Sequence, residues 1–142
     1  MLLSEITPAY ADVAVALHAL SFDKPWTKDE FLSLFSLPTT RGWIDKTGLL
    51  LISHVLDEIE ILTILTHPDF RGQGRATAFL NHLILYAKEN NVRQIFLEVN
   101  ESNLPAIYLY EKVGFKKISV RKNYYRQKDN TFKDAFVYCM KF

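Results

Sequence analysis

THPDFRGQGRATAFL, residues 66–80, joins two apolar runs of different period. Upstream, EIEILTILT at residues 58–66 is rich in apolar and β-branched side chains and reads as a strand. Downstream, Ala76, Phe79, Leu80, Leu83 and Ala87 mark one face of a helix that fades at Asn90-Asn91. Between them stand Arg71, Gly72, Gln73 and Gly74. The first amides of a helix have no partner within it, and the helix dipole favours negative charge there. Glycines let the backbone come close and adopt positive φ. An arginine at the mouth adds a charge-assisted contact. The chemistry suits a pyrophosphate. The same glycines also serve a plain sharp bend with solvated basic residues, and the residues alone leave both readings open. There is no Gly-Lys-Ser/Thr of a Walker A loop and no Gly-x-Gly-x-x-Gly of a dinucleotide fold.

Working outward, residues 2–6 read as a short strand, and Thr7 or Pro8 opens a helix carrying Ala11, Val15, Leu17 and Leu20. Pro25 and Trp26 break it. Thr27, with Glu30 three residues on, has capping-box spacing for a helix around 28–36. GWI and GLLLISHVL, on either side of the turn residues 45–48, give a hairpin. RQIFLEV at 93–99 is a further strand. Ser102 or Asn103 caps a helix whose inner face is Ala106, Leu109, Tyr110 and Val113, with Pro105 in its first turn and Gly114 as its stop. Phe115–Val120 and Ala135–Met140 read as two last strands joined by a polar loop. The order predicts an α/β domain, its sheet mostly antiparallel with a parallel stretch around the 74–90 crossover.

Bulk numbers bound the rest. The chain has 142 residues, 49% of them hydrophobic, which suits one domain (1–142) with a substantial core. Seventeen basic and 16 acidic residues leave a net charge of +1, so the balance gives no reason to expect nucleic-acid or membrane binding. The N-terminal residues lack a basic n-region, and Glu5, Tyr10 and Asp12 interrupt their apolar run. Neither a signal peptide nor a membrane span is expected, and the default is a soluble cytoplasmic protein. Cys139, the single cysteine, is expected to be a buried structural thiol. His18, His54, His67 and His82 show no metal-ligand spacing, so no metal is expected.

Arg71-x-x-Gly74-x-Ala76 resembles the Arg/Gln-x-x-Gly-x-Gly/Ala signature of the GNAT N-acetyltransferases. PW at 25–26, DEIEILTILTHPDFRGQG at 57–74, FLEVNESNLPAIYLYEKVGF at 96–115 and RKNYY at 121–125 resemble the matching stretches of bacterial ribosomal-protein-alanine N-acetyltransferases. Together they cover most of the chain in the expected order. Arg75-Ala76-Thr77 departs from the more usual Gly-Arg-Ala order. The resemblance implies a central sheet of about seven strands with splayed central strands and flanking helices. It implies acetyl-CoA as cosubstrate, with its pyrophosphate on Arg71, Gly72, Gln73, Gly74, Arg75, Ala76 and Thr77. It also implies a pantetheine arm along Ile64, Leu65 and Thr66, and a cofactor contact at Asn103, which is also a plain N-cap. The implied acceptor is a protein N-terminus, the alanine of a small-subunit ribosomal protein, taken up by a monomer or weak dimer.

Acetyl transfer to an amine needs a base, because an α-amino group has pKa about 7.7–8.0. In RQIFLEV, Ile95, Leu97 and Val99 share one face, so Phe96 and Glu98 share the other. Glu98 is the candidate base, although the pattern alone favours a strand-end carboxylate in water. The resemblance matches it to the family's proposed base, and Tyr110 to the family's acid. A tyrosine can pack its ring while its hydroxyl reaches a partner. Trp26, Tyr124 and Tyr125 match loops on the substrate side, although Trp26 alone reads as a packing residue. Two rivals share these residues. One is a small-amine or antibiotic acetyltransferase; the other is a silent CoA-binding module.

Overall fold

The structure is a computed structural model that describes residues 3–22 and 24–142. Its strands are β1 (Ser4–Glu5), β2 (Thr40–Asp45), β3 (Gly48–Val55), β4 (Glu58–Thr66), β5 (Gln94–Asn100), β6 (Lys116–Arg126) and β7 (Phe132–Lys141). Its helices are α1 (Ala11–Ser21), α2 (Lys28–Phe35), α3 (Arg75–Glu89) and α4 (Leu104–Val113). The strands form one seven-stranded sheet in the order β1-β2-β3-β4-β5-β7-β6. All pairings are antiparallel except β4 with β5. The expected α/β fold and element order are therefore present. Thr7 precedes a 3-10 turn, Pro8–Tyr10, before α1 proper, and Leu2 of the expected first strand lies outside the described residues.

The sheet is covered on both faces, which explains the unbroken apolar run of β3. Leu50 and Ile52 enter a core with Phe79, Leu80, Leu83 and Ala87 of α3. Leu49 and Leu51 point the other way, into a core with Ala14 and Leu17 of α1 and Phe31 of α2. Each buried Leu or Ile side chain stabilises the fold by about 1.5–3 kcal/mol.

The register breaks at one place that matters for function. Ile61 faces Ile52 and Thr63 faces Leu51, so Leu62 is an extra residue in β4. Such a bulge turns the strand's faces over. Ile59 and Ile61 belong to the α3 core, whereas Leu65, beyond the bulge, belongs to the α1/α2 core. Pairing of β4 with β5 runs only over Glu58–Glu60 against Gln94–Phe96. Past that rung the two strands part.

One expectation is corrected. Residues 121–126 are not part of a polar loop; β6 continues through them to Arg126 and β7 begins at Phe132. A register shift between Arg121 and Tyr125 absorbs the irregularity that broke the sequence pattern. Asn123 takes φ 54° there, and its amide donates to Asp134 Oδ1 at 2.9 Å.

Candidate active site

The parted strands open a cleft of about 940 Å3 that both sides of the sheet reach. Its walls include Ile61–Thr66 of β4 and Leu97–Asn100 of β5. Two hydroxyl oxygens on these walls, Thr63 Oγ1 and Ser21 Oγ, are buried without a partner among the described residues. Such groups are expected to find a partner in a working complex.

One end of the cleft is the turn before α3. Arg71, Gly72, Gly74, Arg75, Ala76 and Thr77 line it; Gln73 does not. Gly72 and Gly74 sit at φ 75° and 74°, and a Cβ at either would meet nothing within 4 Å. The left-handed backbone is what asks for glycine here, and the bare surface leaves the α3 amides open. No side chain caps α3, and no acidic residue stands in its first turn. Arg71 Nε donates to Thr66 O at a long 3.4 Å. Arg75 is differently placed. Its Nη2 donates to Asp45 Oδ2 at 3.1 Å and its Nε to Thr47 Oγ1 at 3.2 Å, pinning α3 to the β2–β3 turn.

Glu98 and Tyr110 both line the cleft. Ile95, Leu97 and Val99 are buried toward α3 and α4, so Glu98 lies on the α1/α2 side of the sheet. Tyr110 comes from α4 on the other side, 7% exposed and packed on Phe115 and Tyr138. The gap between β4 and β5 is what brings the two into one cleft. Burial first, and Tyr125 second, push the Tyr110 hydroxyl up to about 12, so it stays protonated. Tyr125 is likewise pushed up to about 12, by burial, then Glu98, then Tyr124. Glu98 Oε1 pairs with Arg121 Nε at 3.1 Å. That arginine lay within RKNYY, yet nothing in the sequence pattern announced its partner.

The remaining candidates divide. Asn103 lines the cleft and also caps α4, its Oδ1 accepting from the Ala106 amide at 3.3 Å. Tyr125 lines the cleft, while Tyr124 does not and lies half exposed under the Arg121 guanidinium. Trp26 lines the cleft and stacks on His18 with centroids 4.7 Å apart. Its amide donates to His18 Nδ1 at 3.0 Å, so the loop that carries Trp26 is tied to α1 by a buried neutral imidazole. His18 was not legible as a cleft residue, since a lone histidine in a helix carries no signal. Among the described residues no group of three His, Cys, Asp or Glu is placed to hold a metal. No helix among them is long and apolar enough to cross a membrane.

The model of the acetyltransferase (GNAT) family matches residues 15–115. The chain belongs to the GNAT acetyltransferase family. It is an N-acetyltransferase that draws on acetyl-CoA. A Bacillus subtilis protein, provisionally named a [ribosomal protein bS18]-alanine N-acetyltransferase, is 37% identical over 120 residues, 80% of each chain. The Escherichia coli [ribosomal protein bS18]-alanine N-acetyltransferase is 41% identical over 83 residues, 58% of this chain and 55% of that one. The crystal structure of the ribosomal-protein-S18-alanine N-acetyltransferase from Escherichia coli superposes with a TM-score of 0.91 at 28% identity. It covers 99% of this chain and 92% of that chain.

Proposed function

We propose that residues 1–142 form one domain that transfers acetyl from acetyl-CoA to the N-terminal amine of a protein, the alanine of a small-subunit ribosomal protein. The names of the relatives support this acceptor class. The observation that carries the chemistry is the cleft between β4 and β5, which Glu98 and Tyr110 both line from opposite faces of the sheet.

In this reading Arg71 and the amides of residues 72–77 hold the pyrophosphate. The pantetheine arm runs along the unpaired edge of Ile64, Leu65 and Thr66, as an added strand would. A backbone amide there polarises the thioester carbonyl. Glu98 takes the ammonium proton of the acceptor through a water. The freed lone pair attacks the carbonyl carbon, the attacking nitrogen sheds its second proton to solvent as the C–S bond breaks, and the departing thiolate takes the hydroxyl proton of Tyr110. Glu98 then gives its proton to solvent, and solvent reprotonates Tyr110. Tyr125 and Trp26 flank the acceptor, with Tyr124 at the outer rim.

The test is thiol release from acetyl-CoA with an alanine-starting ribosomal peptide, set against polyamines and aminoglycosides. The peptide should be preferred. Glu98→Gln should lower turnover about 10²-fold, with acetyl-CoA affinity retained. A variant as active as the parent across the pH range removes Glu98 from the base role. Preference for a polyamine replaces the acceptor and keeps the chemistry.

A further inference from the structure

Glu60 stands where the parallel strands make their last rung, opposite Phe96. Paired residues project to the same side of a sheet, so Glu60 shares the face of Phe96 and Glu98. It is half-buried and does not line the cleft, whereas Glu98 does. Glu60 therefore lies behind the candidate base, at the apex from which the cleft opens. Among the described residues it makes no ion pair of its own. Its neighbour Glu58, two residues earlier, is paired with Arg93 at 3.1 Å. A carboxylate partly removed from water beside a like charge costs stability. Structure alone would be better served by an apolar side chain there.

We propose that Glu60 is a positioning residue that acts through Glu98: the two carboxylates and the Arg121 guanidinium form one charge cluster that sets how strongly the base holds its proton. This rests on the reading of Glu98 as the base. Burial first, and the Glu98 charge second, raise Glu60 above the ordinary carboxylate range, while Arg121 opposes them. The Coulomb interaction is mutual: the Glu60 charge repels that of Glu98, while the Arg121 guanidinium attracts both. Two negative charges against one positive leave the cluster attractive to an incoming ammonium.

Other groups face the pair. From β3 the paired residue is the uncharged Ser53. From β6 come Arg121 and Tyr125, and from β7 the Cys139 thiol opposite Phe96. Lys24 and His18 line the cleft from the α1 side. Tyr125 and Cys139 are pushed upward by burial and stay neutral near pH 7.

Two isosteric variants separate the contributions. In Glu60→Gln the acid limb of the kcat/KM profile for an alanine-starting peptide should move to lower pH, by about half to one unit. In Arg121→Gln it should move to higher pH. A merely structural role predicts no such opposed shifts. Carboxyl-carbon NMR of Glu98 in the full chain should show the same two directions, whether or not the chosen peptide is a substrate. Unmoved Glu98 titration in Glu60→Gln would overturn the inference. Opposed NMR shifts in a protein inactive on every peptide would sustain the cluster and overturn the acceptor reading instead.

Discussion

Two helices of this protein begin in opposite ways. α2 closes its own start: Thr27 Oγ1 accepts from the Glu30 amide at 3.2 Å, and Glu30 Oε1 accepts from the Thr27 amide at 3.3 Å. Asp29 and Glu30 stand in its first turn, where they complement the dipole. α3 starts at a left-handed glycine, with no cap and no acid. A capping residue stabilises a helix by about 1 kcal/mol, so stability alone favours the α2 arrangement. α3 forgoes it and leaves its first amides and its dipole uncompensated, as the proposed pyrophosphate site requires. α4 is intermediate, since Asn103 both caps it and lines the cleft.

The largest test of this contrast is to give α3 the charge it lacks. Gly74→Asp puts a carboxylate at the proposed pyrophosphate site, and acetyl-CoA affinity should fall about 100-fold, or 2.7 kcal/mol. Strain at positive φ, about 1–2 kcal/mol, is partly offset by a dipole gain of about 0.3–1 kcal/mol, so melting should shift little. Calorimetric titration with acetyl-CoA and a melting curve read the two effects separately. Unchanged affinity breaks the contrast. Next in size is Arg71→Ala. Among the described residues its one side-chain hydrogen bond is the long one to Thr66, so stability should hold while affinity drops about tenfold. A loss of stability without loss of affinity would make Arg71 a bend residue.

How much of this was legible follows from what a linear pattern can carry. The capping box, the α3 stripe and the alternation of β5 are local, and each is present as read. The strand-to-helix turn was legible because glycine at positive φ is a local demand. The faces of β4 were not: the burial alternates without a break across Leu62, while the bulge switches which core the buried side chains enter. Only the partner strand's register shows it. Arg121, Glu60 and Glu98 are separated by more than twenty residues pairwise and meet only because the sheet places β4, β5 and β6 as it does. The extent of β6 was missed for a related reason: its residues 116–124 are all exposed, and an edge ribbon open to water need not alternate.

On the other side of the contrast, Thr27→Ala should remove the saturated start of α2. The expected loss is about 1 kcal/mol, a fall in Tm of about 2–8 °C, with acetyl-CoA affinity untouched. An affinity loss here would mean the two helix starts are not independent.

The smallest effect lies just before that cap. His18 is 3% exposed and accepts the Trp26 amide through Nδ1, which requires a neutral ring with the proton on Nε2. Burial lowers its folded pKa, and Glu30 opposes this only in part. With the folded pKa below the unfolded value of about 6.5, the unfolded chain binds the extra proton first. Stability is therefore retained above about pH 6.5 and lost as pH falls below it, with a slope of at most about 1.4 kcal/mol per unit for one proton. His18→Gln keeps an acceptor and cannot charge. Its Tm should fall less steeply than the parent's between pH 7 and 5, and equal slopes would mean that His18 carries its proton in the folded state and that the tie to Trp26 is not what holds the loop before α2.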